Sequence, residues 1–302
     1  MSATTEAISS RPALAVPPFA CDCHTHVFGP ATRYAYAAGR QFTPGDASLE
    51  DLLQLQADLG LSRVVIVQPS SYGSDNRCTL DAVVALNKNA ADRARAVVVI
   101  DEQTTDTELD DMHIQGARGV RLNLQTRGLN DVEAAGRMLI DASRRVERLG
   151  WHVQVFTNLK VIVGLSDVVG SLRTPVVFDH FAGARAAPAL DQPGMDALMD
   201  LLRGGNVYIK LSAAQRTSSA PGFADVQPLA RAWIASRPDR MLWGTDWPHP
   251  GVWPGIERDP GRIEPFHDVD DVAALNRLAA WAVEDDIFKA ILVDNPARLY
   301  GW

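Results

Sequence analysis

Two histidines near the N-terminus are separated by a single residue in the segment Cys23-His24-Thr25-His26. Alternate side chains of a β-strand face the same side, so histidines at positions i and i+2 of a strand end point into one pocket. Imidazoles placed in this way bind a metal ion or exchange hydrogen bonds with a reacting group. Such a pair also occurs at surfaces and in cores without any chemistry, so the pair alone leaves both interpretations open.

Two later segments carry the same kinds of polar group at the ends of apolar runs. One run ends in Phe178-Asp179-His180, and another ends in Trp243-Gly244-Thr245-Asp246-Trp247-Pro248-His249. A closed barrel of parallel strands brings the carboxyl ends of its strands together at one mouth. We therefore expect three imidazoles and a carboxylate to share one site: His24, His26, His180 and Asp246.

The elements that would position these groups follow a regular alternation. Apolar runs rich in β-branched residues predict strands over residues 19–23, 63–68, 94–100, 119–124, 151–157, 175–180, 206–212 and 240–246. Helical spacing predicts helices over residues 49–59, 79–88, 105–115, 132–149, 160–172, 195–202, 224–235 and 272–283. Eight strand–helix units, with runs typical of strands buried on both faces, predict a (β/α)8 TIM barrel of the α/β class. An open doubly wound sheet is the alternative.

No composition break divides the chain, so the sequence predicts one barrel domain over residues 19–302. Residues 1–18 lack the basic and apolar regions of a signal peptide and predict a flexible tail. Two long segments, 28–47 after the first strand and 248–268 after the eighth, are loop insertions. Both are expected over the C-terminal mouth of the barrel, as candidate lids.

Composition narrows the classes of partner. The 302 residues carry a formal net charge of −8, which argues against a nucleic-acid partner or an anionic membrane surface. No run approaches the roughly 18 apolar residues that a membrane span needs. The three cysteines are an odd number without dense spacing, which argues against a disulfide framework. Cys21 and Cys23 have no second cysteine pair that would complete a zinc site. We expect a cytoplasmic monomer or small homo-oligomer.

The chain resembles the amidohydrolase superfamily, in the branch that contains 2-pyrone-4,6-dicarboxylate lactonase and 4-sulfomuconolactone hydrolase. The likeness runs from about Phe19 to Tyr300. Its specific pieces, beside the strand-end residues above, are the segments 21–30, 65–68, 75–77, 118–123 and 292–296. The resemblance implies a carboxylic-ester hydrolase of aromatic-acid catabolism, which opens a small anionic lactone by water attack on the ring carbonyl.

The resemblance also implies roles for individual residues. Asp246 matches the general base, and the three histidines match groups that polarise the ring carbonyl. The residues that match the binding site for one substrate carboxylate are Ser70, Arg121 and Arg127. Arg216 matches a residue that binds the second substrate carboxylate. Further residues expected to line the site are Asn123, Tyr72, Gln215, Phe42 and Phe156.

The metal content is expected to differ from that of most superfamily members. Binuclear members carry a carboxylated lysine or glutamate on the fourth strand, where this chain has Arg121 and Asn123. Mononuclear members have a histidine at the end of the fifth strand, where residues 154–157 contain none, and His152 lies too early and is expected in the core. The zinc ligand set is thus incomplete, and the lactonase branch that the chain resembles works without a metal, so the resemblance implies no cofactor. The alternative is a single Zn²⁺ held by His24, His26, His180 and Asp246.

The sequence departs from the dicarboxylate lactonase at the second carboxylate. Phe42 and Phe156 stand where that enzyme has tyrosines, and Gly183 stands where it has an arginine, with Arg185 two places beyond. Each missing partner of a buried polar group costs about 1–3 kcal/mol. We expect a lactone with one carboxylate and a differently shaped second group, such as a sulfonate. Alternatives are a zinc-dependent decarboxylase, a sugar-acid lactone isomerase, and a barrel that only binds an anion.

Overall fold

The computed structural model describes residues 12, 14–252 and 257–302. Eight parallel strands pair in chain order: β1 Cys21–Thr25, β2 Arg63–Val67, β3 Ala94–Val98, β4 Ala117–Asn123, β5 His152–Phe156, β6 Val176–Phe178, β7 Val207–Ser212 and β8 Met241–Gly244. The chain beyond β8 returns to β1, where the Asp246 N–H donates to the His24 carbonyl (2.8 Å) and the His26 N–H to the Trp247 carbonyl (2.8 Å). These bonds close the sheet, and the predicted (β/α)8 barrel is confirmed.

Helices surround the barrel: α1 Leu49–Leu59, α2 Arg77–Asn89, α3 Asp106–Ile114, α4 Val132–Val146, α5 Leu159–Gly164, α6 Ser166–Ser171, α7 Met195–Arg203, α8 Ala214–Thr217, α9 Gln227–Ser236, α10 Asp271–Ala282, α11 Asp285–Lys289 and α12 Asn295–Tyr300. Local chemistry sets their ends. At α1, the Ser48 hydroxyl accepts the Asp51 N–H and the Asp51 carboxylate accepts the Ser48 N–H. The helix stops at Gly60, whose φ of 71° is left-handed.

The first strand lies two residues later than its predicted position of 19–23. Phe19 has φ 67°, which an extended strand does not allow, so the strand begins at Cys21. Asp22 pairs with Val64 and Thr25 pairs with Ile66, so β1 carries one extra residue between these pairs. A β-bulge of this kind offsets the side-chain alternation. His24 lies within β1, and its ring contacts Lys210 and Asp179.

Two predicted helices also differ from the observed ones. The helix predicted over 160–172 is broken into α5 and α6 at Leu165, where the Ser166 hydroxyl donates to the Val163 carbonyl (2.7 Å). A side chain that bonds back to the backbone competes with helical hydrogen bonds. The helix predicted over 224–235 begins at Gln227, because a 3₁₀ turn, Pro221–Val226, occupies the preceding residues.

The bottom of the barrel is an apolar cluster that includes Cys21, Cys23, Val65, Val97, Tyr208 and Tyr300. His152 packs edge-on against Tyr300, with ring centroids 5.2 Å apart. A Cβ at Gly119 would lie 2.4 Å from the His152 ring, so only glycine leaves space for this imidazole. Burial lowers the pKa of His152 to about 3. His152 is therefore a neutral core residue, as expected.

The two loop insertions contact each other. Thr43–Pro44, in the first insertion, pairs in parallel with Ile263–Glu264 in the second. The Thr43 hydroxyl and the Arg40 guanidinium both donate to the Pro260 carbonyl, at 2.6 Å and 3.0 Å. The insertions thus form one connected layer at the mouth.

Parts of two predicted segments lie outside the described residues: most of the predicted tail, namely residues 1–11 and 13, and residues 253–256 of the second insertion. Within the described part of the chain, no helix is long and apolar enough to cross a membrane.

Candidate active site

Three imidazoles surround one carboxylate oxygen at the mouth of the barrel. Asp246 Oδ1 lies 3.6 Å from His24 Nε2, 3.5 Å from His26 Nε2 and 3.7 Å from His180 Nε2. All four side chains are buried. The structure therefore brings together the four residues that the sequence placed on the first, sixth and eighth strands.

The backbone that carries these groups is held by a buried aspartate. Asp22 accepts hydrogen bonds from the His24 N–H (3.0 Å), the Thr245 N–H (3.1 Å) and the Thr245 hydroxyl (2.7 Å). It thereby joins β1 to the end of β8, directly beneath Asp246. Asp246 and His180 both have left-handed backbone conformations, with φ of 67° and 49°. Such conformations persist only where the surrounding structure fixes them.

Hydrogen bonds at Nδ1 orient two of the imidazoles. His26 Nδ1 lies 2.7 Å from the Val67 carbonyl oxygen, and His180 Nδ1 lies 2.9 Å from the Ser212 hydroxyl. Burial lowers the pKa of His26, and it lowers the pKa of His180 to about 4. Both rings are therefore neutral near pH 7.

A second buried carboxylate, Asp179, lies beneath the imidazoles. Its Oδ2 accepts from Arg121 Nη2 (3.2 Å) and Gln154 Nε2 (3.1 Å), and its Oδ1 lies 3.7 Å from Lys210 Nζ. His24 Nδ1 is 3.3 Å from the same Oδ1. Burial alone would raise the pKa of Asp179, but the neighbouring cations Lys210 and Arg121 hold that pKa well below its usual range. Asp179 is therefore an ionised anchor for these groups.

Functional roles for Asp179, Gln154 and Lys210 were not predicted from the sequence. Lys210 lies in the middle of Val207–Ser212, a strand with no other charged residue. A charge in a strand buried on both faces must be paired, because an isolated buried charge is very costly. That rule was the available signal for Lys210, whereas its partners could not be read from the sequence.

Asp246 is also paired with an arginine. Arg216, in α8, donates to Asp246 Oδ2 from Nε (3.1 Å) and Nη2 (2.9 Å), and it also donates to the Pro250 carbonyl. Burial raises the pKa of Asp246, but the charge of Arg216 outweighs this effect and holds that pKa well below its usual range. Asp246 is therefore ionised, with Oδ1 facing the imidazoles and Oδ2 facing Arg216.

A cavity of about 750 Å³ opens above these residues. Among the described lining residues, Asp246 is the only acid, and the cations are Arg121, Arg185, Arg216 and Arg258. The guanidinium carbons of Arg121 and Arg216 lie 5.8 Å and 5.7 Å from the centre of the Phe156 ring. The excess of guanidinium groups favours an anionic ligand.

Most of the predicted binding residues line this cavity: Phe42, Ser70, Arg121, Asn123, Phe156, Gln215 and Arg216. Two lie outside the described lining. The Tyr72 hydroxyl accepts the Gly29 N–H (2.8 Å) and its ring stacks on Tyr36, so it supports the first insertion. Arg127 is exposed in the turn after β4. His24 contacts the site from beneath the cavity.

Comparison with known proteins assigns the family. The amidohydrolase family model matches residues 21–302, nearly the whole chain. This chain belongs to the amidohydrolase family. The resemblance recognised in the sequence is thereby confirmed.

Curated relatives of this amidohydrolase include members of the lactonase branch that the sequence resembles. The chain is 36% identical over 292 residues to a 4-sulfomuconolactone hydrolase of Rhizobium radiobacter, covering 95% of this chain and 91% of that one. It is 34% identical over 301 residues to a 2-pyrone-4,6-dicarboxylate hydrolase of Comamonas testosteroni, covering 96% and 93%. A solved structure from Acinetobacter baumannii, described as a probable 2-pyrone-4,6-dicarboxylic acid hydrolase with citric acid bound, is similar with a TM-score of 0.77 and 25% identity, covering 94% and 100%.

The residues of this amidohydrolase fit a metal ion by geometry but not by charge. Ligand atoms of His24, His26 and Asp246 lie within 4.8 Å of one another, and these donor types suit zinc. However, three cations contact the two buried aspartates: Lys210, Arg121 and Arg216. The aspartates and these cations already sum to a positive charge, and a divalent ion would add two more positive charges in a buried site. A divalent ion in this site would therefore carry an electrostatic cost.

Proposed function

We propose that this amidohydrolase hydrolyses the ring ester of a small anionic lactone and does so without a metal. The main support is the carboxylate of Asp246, which faces three imidazoles at the floor of a cavity rich in arginine. The names of its relatives support a lactone, and the citric acid in a similar solved structure supports an anionic substrate.

The chemistry begins with a water molecule held at Asp246 Oδ1. The water oxygen adds to the ring carbonyl carbon while Asp246 accepts a proton from the water. The carbonyl electron pair moves to the carbonyl oxygen, and imidazole N–H groups donate to the resulting oxyanion. The oxyanion then reforms the carbonyl, the bond to the ring oxygen breaks, and the ring oxygen leaves with the proton from Asp246. The products are a carboxylic acid, which ionises, and a hydroxyl group.

The pairing with Arg216 makes Asp246 a weak base before substrate binds. A carboxylate with a lowered pKa removes a proton from water only when the carbonyl is strongly polarised. The second anionic group of the substrate would compete with Asp246 for Arg216, which lines the cavity and is partly exposed. Sharing this guanidinium weakens its effect on Asp246 and raises the pKa of the base. Binding an anion and activating the base are therefore coupled.

The two sides of the cavity suit different anionic groups. Ser70 and Arg121 lie on the side where one substrate carboxylate is expected. Where the second group is expected, Phe42 supplies no hydroxyl, and its ring lies 4.5 Å from the guanidinium carbon of Arg258, which pairs with Glu264 at 2.9 Å. We infer that the second group is larger than a carboxylate and meets this arginine, as a sulfonate would.

Hydrolysis of a lactone panel tests the proposed function. The panel includes 2-pyrone-4,6-dicarboxylate and 4-sulfomuconolactone, and the enzyme is assayed for zinc before and after treatment with a chelator. We expect ring opening that is unchanged when zinc is absent, with faster turnover of the sulfonated lactone. Activity that follows the zinc content would make the histidines and Asp246 metal ligands. Release of carbon dioxide without ring opening would indicate a decarboxylase, and a rearranged lactone would indicate an isomerase.

Replacing Arg216 with methionine tests its coupling to Asp246. Because Arg216 lowers the pKa of Asp246, the acid limb of the kcat/KM profile is expected to move to higher pH in the variant. Loss of a charged hydrogen bond to the substrate is expected to raise KM by at least about tenfold. The matched control is Arg231→Met, which removes an exposed arginine bonded to the Ala280 carbonyl. An unmoved acid limb together with an unchanged KM would remove Arg216 from the mechanism.

A further inference from the structure

We propose that Lys210 holds His24 in the tautomer with its proton on Nε2, opposite to the tautomer of His26. His24 then donates a hydrogen bond to the substrate carbonyl, and His26 accepts one from the attacking water. Lys210 is thus a positioning residue. The catalytic roles of the two histidines rest on the proposed lactone hydrolysis, whereas their tautomers do not.

Lys210 is fully buried at the centre of the barrel. Its Nζ donates to the Cys23 carbonyl (2.8 Å) and to Gln154 Oε1 (2.7 Å), and it lies 3.3 Å from His24 Nδ1. The Asp179 carboxylate, 3.7 Å away, favours the charged ammonium. An ammonium has three N–H donors and no acceptor, so its third proton makes His24 Nδ1 the acceptor. A neutral imidazole that accepts at Nδ1 carries its proton on Nε2.

Asp179 is the competing partner for His24 Nδ1. Its Oδ1 lies 3.3 Å from Nδ1, and a hydrogen bond to it would require the proton on Nδ1 instead. However, no N–H of the described residues meets this Oδ1 with hydrogen-bond geometry, whereas Lys210 Nζ meets His24 Nδ1 with that geometry. The geometry at Nδ1 therefore favours Lys210 as the donor.

His26 has the opposite arrangement. Its Nδ1 lies 2.7 Å from the Val67 carbonyl oxygen, which only accepts, so Nδ1 carries the proton and Nε2 presents a lone pair. Both Nε2 atoms lie close to Asp246 Oδ1, at 3.6 Å for His24 and 3.5 Å for His26. A water between Asp246 and His26 finds an acceptor for each of its protons. The substrate carbonyl oxygen finds its donor at His24.

Nuclear magnetic resonance of the metal-free wild-type protein, with ¹⁵N-labelled histidine, tests the tautomers directly. The two rings are assigned from the signals lost in His24→Gln and His26→Gln. We expect the proton of His24 on Nε2 and that of His26 on Nδ1. A His24 ring protonated on Nδ1 would overturn the role given to Lys210. This measurement needs neither a substrate nor a folded Lys210 variant.

Lys210→Met supplies the kinetic test. Without the ammonium, His24 is expected to adopt the other tautomer, with its proton on Nδ1 near Asp179. This change removes the N–H donor at Nε2. Loss of one oxyanion donor predicts a kcat lower by about 10²- to 10³-fold, with KM within about twofold of the wild type. A folded variant that keeps the wild-type kcat and the Nε2 proton of His24 would contradict the inference.

Arg95→Met is the matched control, because Arg95 is another buried cation that donates to the carbonyls of Tyr300 and Gly301. It is expected to lower stability while leaving kcat and both tautomers unchanged. An equal fall in kcat in this control would make the effect of Lys210 merely structural. If the wild type opens no lactone, the proposed function fails, and the histidine spectra still decide the inference.

Discussion

Replacing Asp246 with asparagine is expected to lower kcat for lactone opening by about 10²- to 10⁴-fold, the usual contribution of a general base. Arg216 donates two hydrogen bonds to Oδ2, so the carbonyl oxygen of an asparagine would turn toward Arg216. The amide nitrogen would then face the three imidazoles. An amide nitrogen accepts no proton, so the water at this position would have no base.

Steady-state kinetics on the most active lactone of the panel measures this effect. Asp259→Asn is the control, since Asp259 is an exposed carboxylate in the second loop insertion and pairs with Arg262. The control is expected to keep wild-type activity. If Asp246→Asn kept more than about a tenth of the wild-type kcat, proton removal would belong to another group.

Replacing Asp179 with asparagine is expected to lower the free energy of unfolding by about 3–5 kcal/mol, because it leaves buried Lys210 and Arg121 without their shared counter-charge. Denaturant unfolding at pH 7 measures this loss. The control is Asp81→Asn, which breaks the exposed pair with Arg33 (2.7 Å) and is expected to change stability by less than about 1 kcal/mol. Similar losses in the two variants would mean that the buried network contributes no more than a surface pair.

The stability difference between the wild type and Asp179→Asn is also expected to depend on pH, in a direction that the Asp179 pKa determines. The pKa of Asp179 is lower in the folded state than its usual value, so folding favours its ionised form. Its contribution to stability is present above the ordinary aspartate range and is lost as the pH falls through the lower folded-state pKa. The stability difference between the wild type and Asp179→Asn is therefore expected to shrink in acid. A difference that grows on acidification would contradict an ionised Asp179.

The sequence predicted the barrel and the four groups at its mouth. Strands buried on both faces leave long apolar runs, and the spacing of His24 and His26 is that of one strand face, so local patterns were sufficient. The start of β1 was wrong by two residues, because Phe19 has a left-handed φ of 67° that the apolar pattern does not reveal. Tyr72 was expected to line the site, but it lies outside the described cavity lining and its hydroxyl is bonded to Gly29.

Residue types and their periodicity along the chain thus determined which strands form, which polar groups end them, and that the site is rich in arginine. Only the tertiary structure decided which atoms meet. Lys210 and His24 are 186 residues apart, and Asp22 and Thr245 are 223 residues apart, yet each pair is in hydrogen-bond contact after the barrel closes. Hydrogen bonds act over about 3 Å and depend on direction, so they require the register of distant strands, which periodicity does not encode. For this reason the sequence identified the histidines, whereas the protonation of each ring follows from the fold.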